Sequence, residues 1–205
     1  MLTSSRSPRH RSSGFTLLEL MVVIVIIGIL MGALLMSGGS IFRDAEIKQT
    51  GVRMDTLATL IMEYRSIEQD FPDDRLPRPA SATKINASAE ALCLSFFDPN
   101  YTGNKPSQEW LGNTDEDSSP KSLTIFPTRD LFEILDGWGN PIAYFESMHY
   151  NDSCVFVAGA EGFLSEQTVV AARNATTGGW ENPSGFQLIS AGEDGDFGTE
   201  DDIIR

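Results

Sequence analysis

Gly14-Phe15-Thr16-Leu17-Leu18-Glu19-Leu20-Met21-Val22-Val23-Ile24-Val25-Ile26-Ile27-Gly28-Ile29-Leu30-Met31-Gly32 decides how this 205-residue chain is read. From Leu20 through Phe42 no charged residue occurs. A helix of about 20 apolar residues crosses the hydrocarbon core of a bilayer, so this stretch is long enough to span one. Arg6, Arg9 and Arg11 precede it without a single acid. By the positive-inside rule they stay cytoplasmic and the body beyond the span crosses the membrane. Glu19 is the exception in the stretch. A carboxylate at the edge of a membrane helix costs a few kcal/mol unless it finds a cation.

Two ordinary readings leave part of this unexplained. A secretory signal peptide places its small-residue cleavage site after the apolar core, and Met36-Ser37-Gly38-Gly39-Ser40 offers only a weak version. A plain signal anchor gives no reason for Glu19. Gly14-Phe15-Thr16-Leu17-Leu18-Glu19-Leu20 instead resembles the processing site of type IV prepilins and pseudopilins. The resemblance implies that a prepilin peptidase removes residues 1–14 as a leader, cutting between Gly14 and Phe15 and methylating Phe15. It also implies that Glu19 pairs with the terminal ammonium of a neighbouring subunit during filament assembly on an inner-membrane platform. In lipid such a pair is strongly favoured over two separated charges. Gly28 and Gly32 form a G-x-x-x-G pair that permits close helix contact, and Gly38-Gly39 weakens the helix further on.

Beyond the span the pattern becomes one-sided. Leu57, Leu60, Ile61, Tyr64, Ile67 and Phe71 recur at three- and four-residue steps, opposite Asp55, Glu63, Arg65 and Glu68. The spacing predicts one helix over 15–70, ending before Pro72 and roughly 80 Å long. Its first half belongs in lipid or a filament core and its second half supports a body over 71–205. That body reads as α+β. A proline-rich loop over 71–83 leads to a short helix over 86–97, capped by Asn86 or Ser88. Residues 98–120 read as a surface loop and 121–126 as a strand. Asp136-Gly137-Trp138-Gly139-Asn140-Pro141 is a turn around a packed tryptophan that opens the strand Ile142–Phe145. Further strands are expected at 154–158 and 186–190, joined by a long connection over 159–185. The D-x-W-G-x-P run is also similar to the segment opening the small antiparallel sheet of major pseudopilins. That likeness implies the pilin-like architecture of a long helix packed on such a sheet.

The net charge of −14 is uneven: without residues 1–14 the chain holds 12 basic and 29 acidic residues, a net of −17. So acidic a body is a poor ligand for nucleic acid. Six acids crowd into 190–203, among glycines at 192, 195 and 198 that let a loop curl. Calcium takes six to eight oxygens from such loops, although no EF-hand series is present here. The string resembles the calcium loop at the end of major pseudopilins. By position, the resemblance makes Asp194, Asp201 and Asp202 the side-chain ligands, with Asp196 and Glu200 as helpers. Carbonyls near Ser190 and Ala191 complete the shell, and Phe197 and Ile203 are expected to anchor the loop. Calcium here is structural, stabilising the native body by binding it alone.

Cys93 and Cys154 fit either a disulfide in an exported body or two buried thiols, and they lack the partners for a zinc site. Apart from His10 the only histidine is His149, with no G-x-S-x-G elbow and no phosphate-binding loop. The chain therefore reads as a structural, non-enzymatic filament subunit. The resemblance implies a type II secretion pseudopilus of copies or related pseudopilins, held in the inner membrane with its body periplasmic. Such a filament helps export folded proteins across the outer membrane. A true type IV pilin serving adhesion, motility or DNA uptake is the nearest alternative. A signal-anchored, calcium-stabilised periplasmic enzyme is the alternative from another class.

Overall fold

Thr16 opens and Gln69 closes the first helix, α1 (Leu17–Glu68), whose 52 residues match the stretch expected from the sequence. Gln69 takes a left-handed turn at φ 66° while its N–H still reaches the Arg65 carbonyl at 2.9 Å, and Pro72 follows. A computed structural model describes residues 16–77, 84–160 and 163–205, the side chains of 33–42 excepted. The chain divides into two units, Met1–Phe42 and Arg43–Arg205. In the first, the large apolar side chains from Leu17 through Met31 are all exposed. No helix is long and apolar enough to cross a membrane among the described residues; the expected span runs on through 33–42.

In the second unit α1 buries Met54, Leu57, Leu60 and Ile61, the stripe at helical spacing. Ile67 shares that stripe but stays exposed, with the loop at Gly103 against the end of its side chain. The second helix, α2 (Ala87–Phe97), follows. Among the described residues seven short strands follow: β1 (Leu111–Gly112), β2 (Glu133–Ile134), β3 (Ala143–Glu146), β4 (Ser153–Ala158), β5 (Ser165–Val170), β6 (Phe186–Ser190) and β7 (Ile203–Ile204). They form three antiparallel sheets, β1-β2, β3-β6-β7 and β4-β5. This is an α+β, pilin-like arrangement of a long helix on small sheets.

The β3-β6-β7 sheet is the centre of the core, and the two-residue period of a strand explains why every residue of β3 and β6 is buried. Tyr144 and Leu188 point to one face, packing with Met54, Leu57 and Ile61 of α1 and Leu92 and Phe96 of α2. Ala143, Phe145 and Ile189 point to the other, packing with Tyr150, Phe156 of β4 and Val169 of β5. Helices cover one face and the β4-β5 hairpin covers the other.

Three expectations for the body need correction. Residues 121–126 form no strand: the Ser122 hydroxyl donates to the carbonyls of Thr124 and Phe126, and Thr124 accepts the Phe126 N–H. Such local bonds compete with a ladder. The 159–185 connection is not strandless, since β5 pairs with β4 from Ser153↔Val170 to Ala158↔Ser165. Residues 98–120 are not merely a surface loop; Tyr101 and Ser119 are buried, and a 3-10 turn at Gln108–Trp110 leads into β1.

Asn86 precedes α2 as expected, but its side chain does not cap. It sits at φ 53°, fully buried. Its Nδ2 donates to Glu133 Oε1 at 2.6 Å and Thr114 Oγ1 at 2.8 Å, and its Oδ1 accepts the Val157 N–H at 2.9 Å. One side chain thus ties α2, β2 and β4 together. Replacing Asn86 by Ala strands the Val157 donor and puts a less tolerant residue in the left-handed region, a loss of about 3 kcal/mol. Urea denaturation of the Asn86→Ala chain checks this; a loss under about 1 kcal/mol would contradict the bridging role.

Candidate functional site

The first turn of α1 holds Glu19 in a reciprocal cap. Thr16 stands before the helix; its N–H and its hydroxyl both donate to Glu19 Oε2 at 2.9 Å, and its Oγ1 accepts the Glu19 N–H at 3.2 Å. This is the Ser/Thr-x-x-Glu capping box, in which two backbone donors without helical partners are satisfied at once. Thr16-x-x-Glu19 was legible in the sequence, yet reading Glu19 for its charge alone missed it. The carboxylate remains exposed, as do the apolar side chains that follow it. Gly14 and Phe15 lie outside the described residues. A Cβ placed on Gly28 or Gly32 would meet nothing within 4 Å, so the G-x-x-x-G pair is an open notch on the helix.

The acidic loop 190–203 is folded on the body. Phe197 stacks on Phe156 at 5.5 Å, its N–H reaches Gln167 Oε1 at 2.9 Å, and Ile203 pairs with Ser190 in the central sheet. Backbone N–H groups reach one carboxylate oxygen each of Asp194, Asp201 and Asp202, and side chains reach others. Asp201 Oδ2 accepts the N–H groups of Glu193 and Asp194 at 2.8 and 3.1 Å, and its Oδ1 accepts the Thr199 hydroxyl at 2.6 Å. Burial pushes the Asp201 carboxyl up, but these donors hold it below the usual range. Asp194 Oδ1 takes the Asp196 N–H, and Asp196 Oδ1 takes Gln167 Nε2. Glu193 pairs with Arg43 at 2.9 Å. Gly192 is required at the start: its φ is 69°, and a Cβ there would lie 2.5 Å from Asp201 Oδ2.

Asp202 differs. Its Oδ2 accepts the Gly198 N–H at 2.8 Å, while its Oδ1 is buried with no partner. Burial pushes this carboxyl up, and the charges of Asp201 and Asp194 add to the shift. The three residues assigned as ligands by position therefore face one another electrostatically. Among the described residues no three carboxylates of this loop converge closely enough to hold an ion as they stand. The all-oxygen donor set and the orphaned Asp202 oxygen suit a hard cation, which the loop would take by turning carboxylates from N–H groups to the ion. Glu200 is exposed, and Ser190 and Ala191 are buried in and just after β6.

Residues 9–35 match the family model described as the prokaryotic N-terminal methylation motif. The chain carries the processing signature of type IV pilin-like proteins. That signature supports cleavage by a prepilin peptidase and assembly into pilus-like filaments. No curated protein and no solved structure matches the chain.

Elsewhere in the chain, Cys93 and Cys154 are both free thiols. Cys93 packs among the helices on one face of the central sheet and Cys154 against the cluster on the other. Two groups of ligating side chains escaped the sequence reading. Asp74, Glu146 and His149 converge, with His149 Nδ1 2.6 Å from Asp74 Oδ1. Glu90, Asp115 and Asp117 form the second group. The Asn113-x-Asp115-x-Asp117 spacing was the available signal for the latter, an alternation found in calcium loops.

The Asp136–Pro141 turn joins these parts. Asp136 Oδ1 accepts the N–H groups of Trp138 and Asn140, each at 2.9 Å, and its Oδ2 accepts the Ser190 hydroxyl at 2.7 Å. Because the carboxylate is buried and bonded three times, Asp136→Ala should cost about 3 kcal/mol, and Asp136→Asn less. Thermal unfolding of both variants checks the order, and equal losses would refute the assignment of charge-assisted bonds to this turn.

Proposed function

We propose that the chain is a structural subunit of a type II secretion pseudopilus, anchored in the inner membrane by the first half of α1 before assembly. The observation that carries this reading is the methylation motif running into a helix whose apolar side chains, from Leu17 to Met31, have no cover within their own unit. Lipid supplies that cover before assembly, and sister helices supply it afterwards. Glu19 carries the only charge in this exposed apolar segment, and its capping box leaves capacity for a donor from another chain. After cleavage the new amino terminus of a neighbour is that donor. The acidic terminal loop and the Asp136–Pro141 turn favour the pseudopilin over the pilin, since both resemble segments of major pseudopilins.

Calcium belongs to the same proposal. Asp194, Asp201 and Asp202 would hold it, with Asp196, Glu200 and the carbonyls of Ser190 and Ala191 available to complete an oxygen shell. Support comes from the buried, unpartnered Oδ1 of Asp202. The role is structural, and no chemistry is asked of the ion.

Mass spectrometry of the mature protein should find a chain beginning at methylated Phe15; an intact Met1 or a terminus near Ser40 would overturn the filament reading. Glu19→Leu should leave the subunit in the membrane and abolish filaments in sheared or cross-linked cells. Deleting the subunit should stop release of folded exoproteins while surface motility continues; the opposite pattern would assign it to a motility pilus.

A further inference from the structure

Glu90 lies in the first turn of α2, a helix whose other residues are small, apolar or hydroxyl-bearing, and it is fully buried. Neither of its carboxylate oxygens receives a donor from the protein. A charge in that position costs several kcal/mol when nothing compensates it. What faces it is more negative charge. Carboxylate oxygens of Asp115 and Asp117 lie within 4.8 Å of one another and of a Glu90 oxygen. Glu133 stands behind them, already committed to Asn86 Nδ2 at 2.6 Å and the Thr114 N–H at 3.2 Å. The charged neighbours that set the acidity of Glu90 are all carboxylates.

Without a cation this cluster sits in the fold against its own repulsion. Burial first, and then the charges of Asp117, Asp115 and Glu133, push Glu90 up to about 10. Burial and Asp117 push Asp115 to about 6. A cation answers that repulsion.

The donors decide which cation. All are carboxylate oxygens, which select hard ions over zinc or copper. They come from one buried helix position and one loop, and the loop is pre-shaped. Asn113 Nδ2 donates to the Asp117 carbonyl at 2.8 Å, and Asn113 Oδ1 accepts the Asp117 N–H at 3.1 Å. Magnesium keeps several waters and is seldom enclosed by protein carboxylates, whereas calcium accepts irregular shells of them.

We propose that Glu90, Asp115 and Asp117 form a calcium site, separate from the C-terminal acidic loop, that clamps residues 113–117 onto the first turn of α2. Its two aspartates lie within residues 98–120, which read from sequence as a surface loop, and the bound ion ties that segment to the core.

The test counts calcium on the full-length chain in detergent, stripped with chelator, by equilibrium dialysis against radioactive calcium. The Asp202→Asn chain, with the terminal loop impaired, should bind one ion per chain and melt roughly 5 °C higher in saturating calcium. Adding Glu90→Gln should abolish both the binding and the shift. Gln matches the protonated carboxyl in shape, and Asp115→Asn serves the same comparison should that variant fail to fold. If the Glu90→Gln, Asp202→Asn chain still binds one ion, or the Asp202→Asn chain binds none, the site is refuted. The terminal loop fails separately: there the wild type binds a single ion that Glu90→Gln removes and Asp202→Asn does not.

Discussion

Everything in the body is referred to the turn at Asp136. Arg53 of α1 donates through Nη1 to the carbonyls of Leu135 and Asp136, the latter at 2.7 Å, and its guanidinium lies 5.3 Å from the Trp110 ring centroid. Thr50, one turn earlier, accepts the Gly137 N–H at 2.8 Å. Gly137 must be glycine for this approach, because a Cβ would stand 2.7 Å from Thr50 Oγ1 and 3.0 Å from the Glu46 carbonyl. The Asp136 carboxylate reaches Ser190 at the end of β6, and Asn140 Oδ1 accepts the Gly159 N–H at the end of β4. Helix, central sheet and hairpin thus share one six-residue turn, and the bonds of Asp136 to Ser190 and of Asn140 to Gly159 are buried, so losing either leaves a buried group unpaired.

This arrangement explains which parts of the fold were legible in the sequence. The stripe Leu57-Leu60-Ile61 and the turn residues of 136–141 act locally, through period and backbone chemistry, and they led to α1, β3 and the flanking strands. Strand β5 was invisible because five of its six residues, Ser165-Glu166-Gln167-Thr168-Val169-Val170, face water or its margin and only Val169 is buried. Pairing with β4, not burial, makes it a strand. Asn86 stands in the right place for a helix cap, yet its side chain is diverted to Glu133 and Val157, partners 47 and 71 residues away. No window of sequence contains that competition.

The functional residues divide along the same line. Thr16 and Glu19 are three apart, so their cap is a property of the sequence itself. The terminal loop was legible as a concentration of acids. What was not legible is that its backbone curls to offer N–H groups to those acids, through glycines whose positive φ values shape the curl. Glu90 was hidden for a further reason. Within Ala87–Phe97 it is the single charged residue, and a lone acid on an apolar helix reads as a solvent-facing position. Its burial follows from the 113–117 loop folding over it, a contact between segments more than 20 residues apart in sequence.

The body therefore holds buried carboxylates in two physically different ways. Asp136 is surrounded by donors that the fold itself supplies, so it keeps its place without an ion. Glu90 and one oxygen of Asp202 have no such donors, and on the proposed reading a small cation offsets their cost. An acidic chain gains from that division. Charges answered by backbone dipoles fix the architecture, while charges left for an ion tie two outer segments, 113–117 and 190–203, to the composition of the surroundings. On the filament reading, those same ions would lower the repulsion between stacked bodies of net charge −17, each ion neutralising two carboxylate charges. Ordering of single subunits and tolerance of their crowding would then rest on one chemical species.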